Sequence, residues 1–207
     1  MDSGYQDPPP ALLSRIVRRV MLWFYRTRGW TATGSPPADR RCVVIAAPHT
    51  SNWDFVNLLG LTADIGVKVH FMGKQSLFRW PLGRFMRDMG GVPIDRSVRH
   101  NTVELMAAEF KRRKEFMLVI APEGTRSAVG QWRTGFYHIA RVAGVPLVIG
   151  MMDYGKKTGG LGPAVWPTGG FPADMAKVVE FYRNTTPRHP DRAITDFETL
   201  MGADSRD

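Results

Sequence analysis

A histidine and an aspartate five positions apart, His49 and Asp54, bound the segment Pro48-His49-Thr50-Ser51-Asn52-Trp53-Asp54. An imidazole works as a base near neutral pH when one tautomer is held, and a carboxylate on its other nitrogen does that. His-x4-Asp across a strand-to-helix turn can bring the two side chains into contact. The plainer reading is that Ser51 or Asn52 caps a helix, Asp54 complements its dipole and His49 is incidental. A second group, Ala121-Pro122-Glu123-Gly124-Thr125-Arg126-Ser127, sets Glu, Thr and Arg around one glycine. Arg offers a planar fork to phosphate and Gly lets the backbone come close, so this stretch suits an anionic or polyhydroxylated group. Its plainer reading is a polar turn. Two more stretches carry charge after an apolar run: Gly90-Gly91-Val92-Pro93-Ile94-Asp95-Arg96, and a segment from Lys74 to Gly83. Alone, the first reads as a surface ion pair and the second as a solvated lysine.

These groups need elements to position them. Cys42–Ala47, Val67–Met72, Gly91–Ile94, Phe116–Ile120 and Pro146–Met151 are short apolar runs that read as strands. Asp54–Ile65, Pro81–Met89, Thr102–Arg113, Phe136–Ala143 and Asp174–Tyr182 read as helices between or after them. Strands separated by helices predict a single α/β domain with a largely parallel central sheet flanked by helices. Reactive residues at strand ends are where such folds place sites. Residues 155–170, rich in Gly and Pro, are expected to be loop, and the last dozen or so residues are polar.

The N-terminal portion, residues 1–41, is expected to be separate in character from a main domain over 42–207. Residues 1–10 read as a frayed tail without the basic region of a signal peptide. Residues 11–28 read as a basic amphipathic helix. Leu13, Ile16, Val17, Val20, Phe24 and Thr27 share one face, Arg15, Arg18, Arg19 and Arg26 lie on another, and Trp23, Phe24 and Tyr25 are available to insert into a lipid surface. The alternative is a packing helix with a solvated Arg face. Residues 29–39 form a break.

Composition narrows the classes. The 207 residues suffice for one domain with appendages. One cysteine, Cys42, excludes a disulfide framework and a Cys-rich metal site. The net charge of +9 calls for an anionic partner: nucleic acid, a lipid surface or a phosphorylated ligand. The aromatics do not interleave with arginines as in a known nucleic-acid module, so no nucleic acid is expected. No Gly-x-Ser-x-Gly elbow supports a serine hydrolase. His70, His100, His138 and His189 give no metal-ligand spacing with His49, so no metal is expected. No apolar run approaches the roughly 18 residues of a membrane span.

Taken together and in order, the four segments resemble the glycerolipid acyltransferase superfamily, of the lysophosphatidic acid acyltransferase type. The family's first block, His-x4-Asp, is matched by His49 and Asp54. Its Gly-x-x-x-Ile-Asp-Arg-like block is matched by Gly90 or Gly91 through Asp95 and Arg96. Its Pro-Glu-Gly-Thr-Arg-Ser block is matched by Pro122 to Ser127, and its apolar strand opening at a proline by Val145 to Ile149. The Lys-x-x-Leu-Phe-x-x-Pro-x-Gly stretch from Lys74 and the Arg133–Phe136 segment look similar as well. The resemblance covers about residues 42–155. Pro48 stands where the family usually has Asn, Asn52-Trp53 makes the turn bulkier, and the family's common transmembrane anchor is not seen.

The resemblance implies acyl transfer from a thioester, acyl-CoA or acyl carrier protein, to an amphiphilic acceptor alcohol. The leading acceptor is 1-acylglycerol-3-phosphate, with another lipid or glycolipid alcohol as the alternative, and no cofactor is implied. It casts His49 as base and Asp54 as the group that orients it. Lys74, Arg96 and Arg126 would bind acceptor phosphate, and Glu123 would position the glycerol moiety or order its loop. Amides near Gly124 or in the His49 turn are candidates for holding the oxyanion, and Gly124 and Thr125 are expected to bind substrate with the residues around them. The expected location is cytoplasmic, peripheral on the anionic inner face of the cell membrane. A non-catalytic membrane-association module is the remaining rival reading.

Overall fold

The structure, a computed structural model, describes residues 4–95, 102–128 and 130–194. Helix α1 spans Leu12–Thr27 and strand β1 Thr31–Thr33, followed by β2 (Arg41–Ala46), α2 (Asn52–Asp64), β3 (Val69–Lys74), α3 (Gly83–Asp88) and β4 (Gly91–Ile94). Then come α4 (Thr102–Arg112), β5 (Phe116–Ile120), α5 (Gly135–Ala143), β6 (Leu147–Asp153), β7 (Thr158–Val165) and α6 (Phe171–Arg183). The seven strands form one sheet in the order β1-β7-β6-β2-β5-β3-β4, and only the β6–β7 pairing is antiparallel. This is the α/β architecture the alternation predicts.

Strand β2 sits centrally, with Val44 opposite Val119 of β5 and Val148 of β6. A parallel sheet buries both faces, which is why these strands read as continuous apolar runs. Val43 and Ile45 point into a core with Phe110, Phe136 and Phe171. Val44 points the other way, toward Val69, Met117 and Val148. Burying side chains of this size contributes about 1.5–3 kcal/mol each. Because β2 to β6 run parallel, the segments after β2, β3, β4, β5 and β6 all emerge at one edge.

The structure differs from the sequence expectation in three places. Residues 155–170 are not all loop, because β7 lies within them. Its glycines hide it from hydrophobic patterning, yet the packing demands one of them: a Cβ on Gly160 would stand 2.3 Å from the Thr33 carbonyl oxygen. Strand β1 is likewise invisible at three residues.

Second, residues 4–10 are not frayed. The Tyr5 amide donates to the Arg112 carbonyl at 2.8 Å, and the Asp7 carboxylate takes Lys68 Nζ at 2.8 Å and Arg113 Nη1 at 2.6 Å, with His70 Nε2 2.8 Å away. Three positive or hydrogen-bonding partners hold the Asp7 carboxyl far below its ordinary value, against the opposing effect of burial. Asp88 Oδ2 then accepts from the Ala11 amide at 2.9 Å and from Ser14 Oγ at 2.7 Å, which docks the start of α1.

Third, the faces of α1 are not those expected. Tyr25 is fully buried and donates to the Thr31 carbonyl at 3.0 Å, so it is a core residue and not an inserting aromatic. Phe24 stacks on Trp53 at 5.6 Å between ring centroids. Arg18 turns toward the domain, its Nη2 donating to the Val67 carbonyl at 3.3 Å. The helix packs against α2 through this side and leaves Leu12, Leu13, Ile16, Val20 and Trp23 exposed.

Candidate active site

The His49 turn joins β2 to α2, and the Ala47–Pro48 peptide within it is cis. Ser51 caps α2: its Oγ accepts from the Trp53 amide at 3.2 Å, while the Asp54 carboxylate accepts the Ser51 amide in a capping box. The capping reading is realised, and the same carboxylate also makes the contact with His49 that the other reading requires. Asp54 Oδ2 lies 3.0 Å from His49 Nδ1 and also takes the Thr50 and Ser51 amides at 3.0 and 2.9 Å. Its other oxygen takes Tyr154 Oη at 2.6 Å. Burial pushes the Asp54 carboxyl up, but the hydrogen bonds from His49, Tyr154 and Ser51 outweigh it and hold the group below its ordinary value. It is therefore an anion at neutral pH, and an anion there requires Nδ1 to carry a proton. Nε2 is left as the ring nitrogen open for proton transfer.

The segment after β5 faces this turn. Glu123 is 3% exposed, and its Oε1 accepts the His49 amide at 3.1 Å. Burial raises its carboxyl above the ordinary Glu value, and Oε2 is buried with no hydrogen-bond partner among the described residues. Glu123 thus ties the two loops together. Gly124 has φ +67°, a conformation glycine adopts without strain, and a Cβ there would also stand 3.0 Å from Arg133 Nε.

A cavity of about 1150 Å³ opens beside His49. Its polar lining includes His49, Asp54, Gly124, Thr125, Arg126 and Arg133. Its apolar lining comes from both faces of the sheet: Leu58, Leu61, Ile65 and Val67 on the α2 side, and Val103, Phe136 and Ile139 on the other. The cavity is mostly apolar, with cations and one imidazole at its polar part.

The structure thus gathers His49, Asp54, Glu123, Gly124, Thr125 and Arg126 at one sheet edge. Lys74 ends β3 on the same edge, is exposed and does not line the cavity. Arg96 lies outside the described residues. Of the amides near Gly124 and in the His49 turn, that of Gly124 is bonded to the Ala121 carbonyl, that of His49 to Glu123, and those of Thr50 and Ser51 to Asp54. Cys42 is fully buried and burial pushes its thiol up to about 12, so it is no nucleophile.

Sequence reasoning missed three members of the site. Arg133 was signalled only as the first residue of a short similar segment. Tyr154 and Asn57 carried no signal, because the Tyr154 partner is 100 residues away in the chain. Arg188 also reaches the site's outer flank, its guanidinium over Trp53 and Tyr154 at 5.4 and 5.8 Å from the ring centroids.

Comparison with known proteins gives a consistent result. The 1-acyl-sn-glycerol-3-phosphate acyltransferases of Salmonella typhimurium strain LT2 and Escherichia coli strain K12 are each 33% identical to this chain over 112 residues. That stretch is 51% of this chain but 44% of each relative, so the chain spans less than half the length of these curated relatives. The crystal structure of the 1-acyl-sn-glycerophosphate (LPA) acyltransferase PlsC from Thermotoga maritima superposes with a TM-score of 0.57 at 22% identity, covering 81% of this chain and 75% of that one, a likeness of fold. The profile of the family described as Acyltransferase matches residues 31–150, well over half of the sequence and inclusive of both the His49 turn and the Gly124 loop. This chain belongs to the Acyltransferase family.

Proposed function

We propose that this protein moves a fatty acyl group from a thioester, acyl-CoA or acyl carrier protein, to a hydroxyl of 1-acylglycerol-3-phosphate. The observation that carries the proposal is the His49–Asp54 contact at the polar part of a hydrocarbon-lined cavity. His49 Nε2 takes the proton of the acceptor hydroxyl as its oxygen attacks the thioester carbonyl. The tetrahedral centre collapses, the C–S bond breaks, and the imidazolium returns the proton to the leaving thiolate. A thiol of pKa near 8.5 leaves readily, so no enzyme nucleophile is needed. Arg126 and Arg133 are the cations on the cavity wall that can meet phosphate or developing negative charge. The same chemistry serves another lipid or glycolipid alcohol if the cations are not used for phosphate.

The test is an acceptor panel offered with both donors and read by mass spectrometry. The expected product is the diacyl phosphate ester, and Arg126→Ala should raise the acceptor KM far more than the donor KM. Equal use of phosphate-free alcohols by wild type and variant would remove the phosphate from the proposal. No acylation of any alcohol would overturn it.

The acceptor is an amphiphile, and we place the enzyme at the anionic inner face of the cell membrane. Among the described residues no helix is long and apolar enough to cross a membrane. With 3.6 residues per turn, Leu12, Trp23, Ile16, Val20 and Leu13 form one exposed arc of α1, with Arg15, Arg19 and Arg26 along one border. An apolar strip bordered by cations suits an anionic lipid interface. Arg26 is already paired with Asp64, and Arg18 faces the domain, so Arg15 and Arg19, which show no ion pair among the described residues, are the cations to test. Each contributes about 1 kcal/mol near such a surface, screened over a Debye length of about 8–10 Å. Arg15→Glu with Arg19→Glu should therefore weaken binding to anionic vesicles at least about tenfold at low salt. Co-sedimentation unchanged by the double variant would make the basic border merely solvated.

A further inference from the structure

We propose that Tyr154 is a positioning residue for the His49–Asp54 pair, its phenol holding the Asp54 carboxylate in the orientation that presents His49 to substrate. The proposal rests on His49 serving as the base, and it concerns a residue that lies beyond the family match at 31–150. Asp54 is almost fully buried, and a buried carboxylate needs partners on both oxygens. Oδ2 has three: His49 Nδ1 and the Thr50 and Ser51 amides. Oδ1 has Tyr154 Oη, at 2.6 Å, the length of a charge-assisted O–H···O bond. Without it the carboxylate can pivot about the two amides on Oδ2, and the imidazole bonded to that oxygen pivots with it.

Tyr154 is itself held. Its Oη accepts from Asn57 Nδ2 at 3.2 Å, and Asn57 is buried, so the phenol proton is directed at Asp54. Its backbone amide donates to the Thr186 carbonyl at 2.9 Å. The Trp30 ring packs edge-on at 4.9 Å between centroids, and the Arg188 guanidinium lies 5.8 Å from its ring centroid. Burial first, then the bond to Asp54, keeps the phenol protonated well above its ordinary value. Tyr154 is therefore protonated at neutral pH, donates to Asp54 and is no base. It sits on the Asp54 side of the pair, away from the ring nitrogen that meets substrate, and does not line the cavity. Its effect must therefore pass through Asp54 and His49.

Tyr154→Phe keeps the ring and its packing and removes one hydroxyl. The expected result is a fall in kcat of about tenfold, the size of one hydrogen bond to a charged group, with both KM values within about twofold of wild type. In protein carrying 15N-labelled histidine, with His49 assigned by its loss in His49→Ala, the His49 ring-nitrogen shifts should move in Tyr154→Phe, while the thermal midpoint falls by several degrees for the one buried hydrogen bond lost and the protein stays folded. Asn57→Leu should move kcat and the shifts in the same direction by less. An unchanged kcat, or a lowered kcat with unmoved His49 ring shifts, would overturn the proposal and make Tyr154 a packing residue. The ring shifts need no substrate. Movement of the shifts in a protein that acylates no acceptor would therefore fail the functional reading and leave the Tyr154–Asp54–His49 linkage standing.

Discussion

Replacing His49 with alanine should lower acyl transfer by about 10²–10⁴-fold while leaving the protein folded. The side chain that is lost hydrogen-bonds Asp54, and the backbone amide bonded to Glu123 is unaffected. Asp54 keeps the Thr50 and Ser51 amides and the Tyr154 hydroxyl, so no buried charge is stranded. The thermal midpoint should stay within a few degrees, since about 1 kcal/mol moves a domain of this size by about 2–4 °C. Steady-state kinetics with donor and acceptor both saturating, beside a thermal melt, checks both halves. Acylation near the wild-type rate in a folded variant would show that another group takes the proton.

Asp54→Asn is expected to cost less than the loss of His49, and the reason is local geometry. In many His–carboxylate pairs an amide in place of the carboxylate can flip and offer its NH2 to the imidazole, which stabilises the wrong tautomer. Here the position of Oδ2 faces two backbone N–H groups, from Thr50 and Ser51. Those donors select the amide oxygen for that place, so His49 Nδ1–H keeps an acceptor. The NH2 then falls opposite Tyr154 Oη, which can turn its own proton away and accept. What remains lost is the negative charge that stabilises the imidazolium formed in the reaction. A hydrogen bond to a charged partner is worth about 1.5–3 kcal/mol, so kcat should fall by about 10–100-fold with KM little changed. A loss as large as that of His49→Ala would mean the amide had flipped and the tautomer argument was wrong. A rate near wild type would mean the charge is not used. The variant should also lose some stability, about 0.3–1 kcal/mol, because Asp54 is the acidic residue in the first turn of α2.

The charge pattern of α1 shows where reading a helix by spacing alone falls short. The sequence marks an amphipathic helix and a basic one. It does not say which part of the apolar sector meets protein. Tyr25, expected to insert in lipid, is buried and bonded to the Thr31 carbonyl, whereas Leu12 and Leu13 are exposed. A helix with apolar residues around more than half its circumference has two candidate burial faces, and periodicity cannot choose between them. The choice came from α2, which presents its own surface to one of them. Residues 4–10 teach the same lesson: Asp7 looks like any tail carboxylate until Lys68, His70 and Arg113 are brought beside it.

The sequence by itself determined the element alternation, the central apolar strands, the strand-end location of the reactive groups and the His49–Asp54 and Glu123–Arg126 segments. All of these are short-range: each needs only a few neighbouring residues and the periods of helix and strand. The tertiary structure alone decided what depends on distant segments meeting. It set the order of the strands and revealed β1 and β7, whose glycine and three-residue lengths leave no hydrophobic signature. It bonded the amides of Gly124, His49, Thr50 and Ser51, put Arg133 against Gly124, and brought Tyr154 to Asp54 across 100 residues. A single sequence records which side chains exist and how neighbours repeat along the chain. Which side chain from a remote strand end lands on a given carboxylate is settled by the packing of the sheet and helices around it, and no local pattern encodes that.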